Sequence, residues 1–266
     1  MAATEGKFRV LGNDWVNQEY KHMIVDAGPL ALNVEPGQFF NLLCPQTDTD
    51  KPFFRRPMST YYADEGTNTV EFLYKVTGAG TRGLATLKAG DGLQFLGPLG
   101  NGFTVKPDYQ HIMVVARGVG LATLAPLAER AAKMNIHVTA LLSARNQQSL
   151  MSQQRFINIG ATVIEVIDTD NSSSVANVEA LIRQVHGKRP VDAIYTCGSA
   201  RIARMLQALI AEIDIAGEVA LEQHMACGIG MCYCCVRPIK VGKALAMKSK
   251  RVCYDGPVFH IKEVVL

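Results

Sequence analysis

The first hundred residues alternate short apolar runs with turn formers. "FRVLGN", "YKHMIVDA", "QFFNLLC", "RRPMSTYY", "TVEFLYKV" and "LQFLGPL" are rich in Val, Phe, Tyr and Leu. Pro36-Gly37, Asp64-Glu65-Gly66 and Asp91-Gly92 separate them. Runs of this kind at this spacing predict an antiparallel sandwich or β-barrel. One helix interrupts them over "TRGLATLKAG", with Thr81 as N-cap and Gly90 as stop.

The pattern changes near residue 111. "HIMVVA" is a continuous apolar run, as in a strand buried on both faces. Helical and strand-like runs then alternate through "LATLAPLAERAAKM", "IHVTALLSA", "FINIGATVIEVID", "NVEALIRQVH", "VDAIYTCG" and "SARIARMLQALIAE". Alternation of this kind predicts a parallel sheet covered by helices. The fold class is therefore multidomain, β plus α/β: an antiparallel β-barrel over 1–103, a Rossmann-like parallel-sheet domain over 104–220 and a small C-terminal segment over 221–266.

Composition narrows the function. Of 266 residues, 48% are hydrophobic and 19% charged, enough for ordinary cores. A net charge of +3 is too small to argue for nucleic acid or a membrane surface. No apolar run approaches the roughly 20 residues that span a bilayer. "MAATEGKFRV" lacks the pattern of a secretory signal, so the expected location is cytoplasmic. Thiols stay reduced there, and clustered cysteines bind metal more often than they form disulfides.

Four of seven cysteines lie in "MACGIGMCYCCV", residues 225–236. Cys227, Cys232 and Cys235 are spaced C-x4-C-x2-C, and Cys253 follows in "RVCYDGPVF". This is the plant-type [2Fe–2S] spacing with a distant fourth ligand. Gly228 and Gly230 let the backbone wrap closely. A four-cysteine zinc site competes, although structural zinc sites usually show paired cysteines on both sides. Cys234 offers a second register, C-x4-C-x-C, and the x2 spacing favours Cys235. Cys44 reads as a buried packing residue.

Two features in the barrel suit a dinucleotide flavin. Arg56, at the start of "RPMS", is a guanidinium fit for a pyrophosphate, and Ser59 offers a hydroxyl for a flavin ring. Gly78, Gly80 and Thr81 precede the helix, whose free N–H groups attract phosphate. In the second domain, Gly118 and Gly120 form a G-x-G turn between strand and helix, a weak dinucleotide signal. No Ser-His-Asp order or hydrolase motif stands out, and no residue is assigned a catalytic role, as suits a protein whose cofactors carry the chemistry.

In this order, "PGQF", "RPMS", "YKVTGAGT" and "GPLGNGF" resemble the flavin domain of the ferredoxin–NADP reductase superfamily. With "MACGIGMCYCCV" and "VCYDGPVF", nearly the whole chain resembles the electron-transfer subunits of type B dihydroorotate dehydrogenases. The resemblance implies FAD along Arg56, Pro57, Met58, Ser59, Leu73, Tyr74, Lys75, Gly80 and Thr81. It implies a [2Fe–2S] cluster on Cys227, Cys232, Cys235 and Cys253. It places the nicotinamide of NAD at Cys197-Gly198, where simple packing of Cys197 is the rival reading. It implies a heterotetramer, two of each subunit, with an FMN-containing catalytic subunit that oxidises dihydroorotate to orotate in pyrimidine biosynthesis. Electrons would run from that FMN through cluster and FAD to NAD+.

The nucleotide domain departs from the family. A Gly-rich turn is expected after "HIMVV", but Ala116 and Arg117 replace two glycines and Thr123 stands where proline is expected. Arg117 either adds a phosphate contact or obstructs a pyrophosphate. The second strand ends without an acid, in Ser143 and Arg145, which leaves NAD against NADP open. The basic run 240–251 is a solvated loop or a docking site for an acidic partner. The competing functions are the small subunit of a ferredoxin-dependent NADP reductase or sulfide dehydrogenase, a paralogue with another redox partner, a redox sensor without turnover, and a zinc scaffold.

Overall fold

The computed structural model describes residues 3–28, 33–242 and 246–266. The chain forms two compact units. The first comprises Met1–Gly102 with Gln223–Val236 and Arg251–Pro257, and the second Phe103–Glu222 with Arg237–Lys250 and Val258–Leu266. The C-terminal segment is thus shared between them.

The first unit is built on strands β1 (Thr4–Trp15), β2 (Tyr20–Asp26), β3 (Phe39–Leu42), β4 (Arg56–Ser59), β5 (Tyr62–Asp64) and β6 (Thr69–Lys75), helix α1 (Ala79–Ala85) and strand β7 (Gly92–Leu99). Their order in the sheet is β4-β3-β7-β1-β2-β6-β5, antiparallel throughout, and the sheet curls into a half-closed barrel. Alternation along β6 turns Val70, Phe72 and Tyr74 into one core. Phe40, Phe72 and Phe95 meet edge to face there, with centroids 5.2–6.2 Å apart. Each fully buried ring contributes about 1.5–3 kcal/mol over exposure. Thr81 is not the N-cap of α1. Gly78 holds that position, and the Thr81 hydroxyl, three residues on, accepts the N–H groups of Thr77 and Gly78 at 2.9 and 3.1 Å. The helix ends at Ala85, and Gly90 (φ +96°) instead shapes the turn into β7.

The second unit alternates β8 (His111–Arg117), α2 (Gly120–Lys133), β9 (His137–Ala144), α3 (Gln153–Asn158), β10 (Thr162–Ile167), α4 (Val175–Lys188), β11 (Ala193–Cys197), α5 (Ala200–Glu212) and β12 (Ala216–Ala220). The chain continues through a hairpin, β13 (Val236–Val241) and β14 (Ala246–Arg251), the short helix α6 (Val252–Asp255) and β15 (Val258–His260). The main sheet has the order β10-β9-β8-β11-β12-β15, parallel except for β15. The run 240–251, expected as a loop, is mostly this hairpin. Its Lys243 lies outside the described residues.

The strand order reverses direction between β8 and β11. Crevices beyond the carboxyl ends of strands at such a point are where open α/β sheets take ligands. Among the described residues no helix is long and apolar enough to cross a membrane.

Candidate functional site

The cysteine loop folds back on itself through its glycines. Gly228 and Gly230 have φ of +72° and +83°, a region that side chains disfavour. A Cβ on Gly228 would sit 2.5 Å from Asn41 Nδ2, and one on Gly230 would meet the Tyr254 ring near 3.0 Å. The close wrap turns backbone N–H groups toward sulfur. Ile229 and Cys232 donate to Cys227 Sγ, both at 3.5 Å, Gly230 donates to Cys253 Sγ at 3.2 Å, and Cys253 donates to Cys235 Sγ at 3.4 Å.

The four thiols stand as two pairs. Cys235 and Cys253 are both 2% exposed, with sulfurs 3.2 Å apart, and Cys227 interacts with the thiol of Cys232. Among the described residues, no three His, Cys, Asp or Glu groups converge as they would on a single metal ion. Two pairs suit two irons with two thiolates each better than one tetrahedral zinc. Burial pushes the Cys227 thiol up, but N–H donors from Ile229, Cys232 and Met231 outweigh it and bring it down to about 6. Burial, with Cys235 beside it, pushes Cys253 up to about 12. Cys234 is exposed, and its sulfur meets the His224 carbonyl at 3.9 Å.

This loop sits on the barrel. Asn41 of β3, 1% exposed, donates from Nδ2 to the Cys227 carbonyl at 3.0 Å. Asn41 faces Pro57 in the β3–β4 register, so the strand beside "RPMS" carries the cluster loop. Asn101 adds Nδ2 bonds to the carbonyls of Tyr254 and Asp255 at 3.4 and 3.2 Å. Sequence reasoning passed over Asn41. Its signal was a lone polar residue inside the apolar run "QFFNLLC".

On β4, Arg56 to Ser59 are all half-buried. The Arg56 guanidinium bonds the Phe54 carbonyl at 2.6 Å and, among the described residues, pairs with no carboxylate. A Cβ on Gly80 would lie 2.7 Å from Arg56 Nε, so the glycine brings the start of α1 against this free cation. The two phosphate candidates therefore converge, and this cradle fits the pyrophosphate of a dinucleotide flavin. Tyr74 points elsewhere. Tyr74 is 2% exposed, and its hydroxyl donates to Asn13 Oδ1 at 2.9 Å in the barrel core. Lys75 pairs with Glu19 at 2.9 Å.

In the second unit the G-x-G turn and the Cys197-Gly198 turn meet. Gly118 and Gly198 have φ of +53° and +97°. A Cβ on Gly120 would stand 2.4 Å from the Cys197 carbonyl, and one on Gly198 2.4 Å from the Arg117 carbonyl. All four predicted residues thus gather at the sheet's reversal point. A cavity of about 200 Å³ opens beside Cys197 and Gly198, bounded also by Ser199, Glu222, Arg237 and Leu266. Burial, with the Glu222 charge adding, pushes Cys197 up to about 12, and its thiol contacts Thr123 Oγ1 at 3.7 Å. It is a neutral packing group at the cavity wall. Arg117 turns away to Ser143 Oγ at 2.9 Å and to both oxygens of Asp168.

The family model for the iron–sulfur cluster binding domain of dihydroorotate dehydrogenase B matches residues 222–265. The NAD(+)-linked dihydroorotate dehydrogenase B electron transfer subunit of Desulforamulus reducens is 33% identical over 244 residues, 92% of each chain. The chain belongs to the family of dihydroorotate dehydrogenase B electron transfer subunits. The Enterococcus faecalis member is 35% identical over 234 residues, 87% of each chain. Among solved structures, that of the NADH-dependent reduced ferredoxin–NADP oxidoreductase superposes with a TM-score of 0.80 at 22% identity, over 97% of this chain and 89% of that one. Ferredoxin–NADP+ reductase from Plasmodium falciparum gives 0.60 at 13% identity, over 80% and 95%. Both show the fold. As a member of this family the chain is an oxidoreductase component with an iron–sulfur domain.

Proposed function

We propose that this chain passes electrons between a dihydroorotate-oxidising catalytic subunit and NAD+. The observation that carries the reading is the seating of the four-cysteine loop, through Asn41, on the strand beside the flavin motif. Arg56, Pro57, Met58, Ser59, Gly80 and Thr81 would hold FAD, with Leu73, Tyr74 and Lys75 contributing backbone. Cys227, Cys232, Cys235 and Cys253 would hold the [2Fe–2S] cluster. Gly118, Gly120, Cys197 and Gly198 would receive NAD. When bound, a flavin exchanges one or two electrons, a [2Fe–2S] cluster one, and a nicotinamide a hydride.

The protein's own work is to bind, space and insulate these groups. Backbone N–H donors neutralise thiolate charge, and buried Cys235 and Cys253 keep water from one side of the loop. Arg117, neutralised by Asp168, is not offered to a 2′-phosphate, which favours NAD. The division of labour is FAD on 1–103, NAD on 104–220 and the cluster on 221–266.

Ile229, Met231, Tyr233 and Tyr254 flank the cysteines and expose 42–75% of their surface, an apolar collar fit for the partner. That partner would be an FMN-containing catalytic subunit in a heterotetramer of two of each, in the cytosol, where the thiols remain reduced.

Co-expression with such a subunit tests the reading. A complex that forms orotate and NADH from dihydroorotate and NAD+ supports it. A complex that forms orotate only with an artificial acceptor, with this chain FAD- and cluster-loaded, would overturn it.

A further inference from the structure

Arg251 is the last residue of β14, two before Cys253, and it is turned inward with 26% of its side chain exposed. Its guanidinium lies over the rings of Tyr254 and Tyr233, 4.4 and 5.4 Å from their centroids. Nε contacts Asp255 Oδ2 at 3.2 Å, and the same oxygen accepts the Arg251 N–H at 2.8 Å. Tyr233 is held at φ +57°, an unusual conformation for a bulky residue. One side chain thus ties together the segments that carry Cys232 and Cys253.

The remaining contact reaches further. Arg251 Nη1 donates to the Gly230 carbonyl at 3.2 Å. The N–H of the same glycine donates to Cys253 Sγ at 3.2 Å, so the guanidinium grips the turn that itself holds a ligand sulfur. The positive charge of Arg251 therefore acts directly on the ligand sulfurs across a partly desolvated site.

We propose that Arg251 is a positioning residue that tunes the cluster: its positive charge, held against the turn between Cys227 and Cys232, favours the reduced form. Reduction adds one electron and hence one negative charge, which a neighbouring cation stabilises. Asp255 works against it by neutralising part of that charge. The inference rests on the cluster reading above.

The test is a dithionite titration of the full chain, loaded with FAD and cluster, following the cluster's midpoint potential with the flavin's as internal reference. Arg251→Met lowers the cluster potential, making reduction about tenfold less favourable, or about 59 mV for one electron. Arg251→Lys, which keeps the charge and a donor for Gly230, stays near wild type. Asp255→Asn raises the potential. Opposite signs for the Met and Asn variants separate tuning from damage to the loop, which would move both the same way. If the Met variant fails to retain a cluster, the upward shift in Asp255→Asn alone decides. Unmoved potentials, or Lys falling as far as Met, would overturn the role of Arg251. A wild-type chain without [2Fe–2S] absorption would instead overturn the cluster reading itself.

Discussion

Arg117 and Asp168 form a two-point ion pair, at 3.0 and 2.6 Å, across the carboxyl ends of β8 and β10, with Ser143 of β9 bound between them. The pair explains how an arginine replaces a glycine in the nucleotide turn without filling it. The fork is drawn sideways along the sheet edge. Asp168→Asn removes the charge that holds it. The expected outcome is a relative gain for NADPH over NADH of roughly tenfold in kcat/KM, since charge-assisted bonds to a freed guanidinium are worth about 1.5–3 kcal/mol before screening. Steady-state flavin reduction with each nucleotide checks it. An unchanged ratio would mean that Arg117 stays clear of the nucleotide even when released.

The same pair sets a pH dependence. Hydrogen bonds from Arg117, then Ser173, hold the Asp168 carboxyl at about 2, below its ordinary value of 3.8. A depressed carboxyl contributes stability that is fully present above its unfolded value and is lost as pH falls through the folded one. The stability difference between wild type and Asp168→Asn should be flat from pH 8 to about 5, then shrink steadily toward pH 2. Denaturant melts across that range would show it.

Cys234 and Cys235 are neighbours with opposite environments, one exposed and the other buried against Cys253. Cys234→Ser should keep iron and sulfide at wild-type content. Cys235→Ser should lose the cluster. Metal analysis of anaerobically purified protein distinguishes them, and equal retention would contradict the ligand choice.

Gly228→Ala places a methyl 2.5 Å from Asn41 Nδ2 in a backbone conformation with φ +72°. Strain of this kind costs about 1–3 kcal/mol. The cluster should fall in occupancy or be stripped faster by a chelator, while flavin content is retained.

Tyr74→Phe separates core from cofactor. It strands Asn13 Oδ1 inside the barrel, whose Nδ2 still donates to the Leu84 and Leu87 carbonyls at 2.9 Å. Stability should fall by about 1–3 kcal/mol with flavin affinity unchanged. A matching loss of flavin would return the tyrosine to the binding site.

Much of this was legible in the chain. The switch from alternating to continuous apolar runs marks where the antiparallel sheet gives way to the parallel one, because strand burial differs between them. The cysteine spacing is local chemistry, so it too could be read directly. Side-chain direction was harder. Motif matching puts Tyr74 in the flavin site, yet the period-two pattern with Val70 and Phe72 already points it into the core. Thr81 looked like a cap because hydroxyls at helix starts usually are, but its bond runs backward from the third helical position. Long-range partners left little trace. Asp168 lies 51 residues from Arg117, and Asn41 lies 186 from Cys227. Only folding brings such pairs together.

The central claim is that one chain holds a flavin and a cluster and exchanges electrons between both and a nicotinamide. The most direct measurement is the visible spectrum of the anaerobically purified chain before and after NADH. Flavin peaks with a broad cluster shoulder, both bleached by NADH, are expected. A colourless protein carrying zinc, or a flavin and cluster that neither NADH nor NADPH reduces, would contradict it.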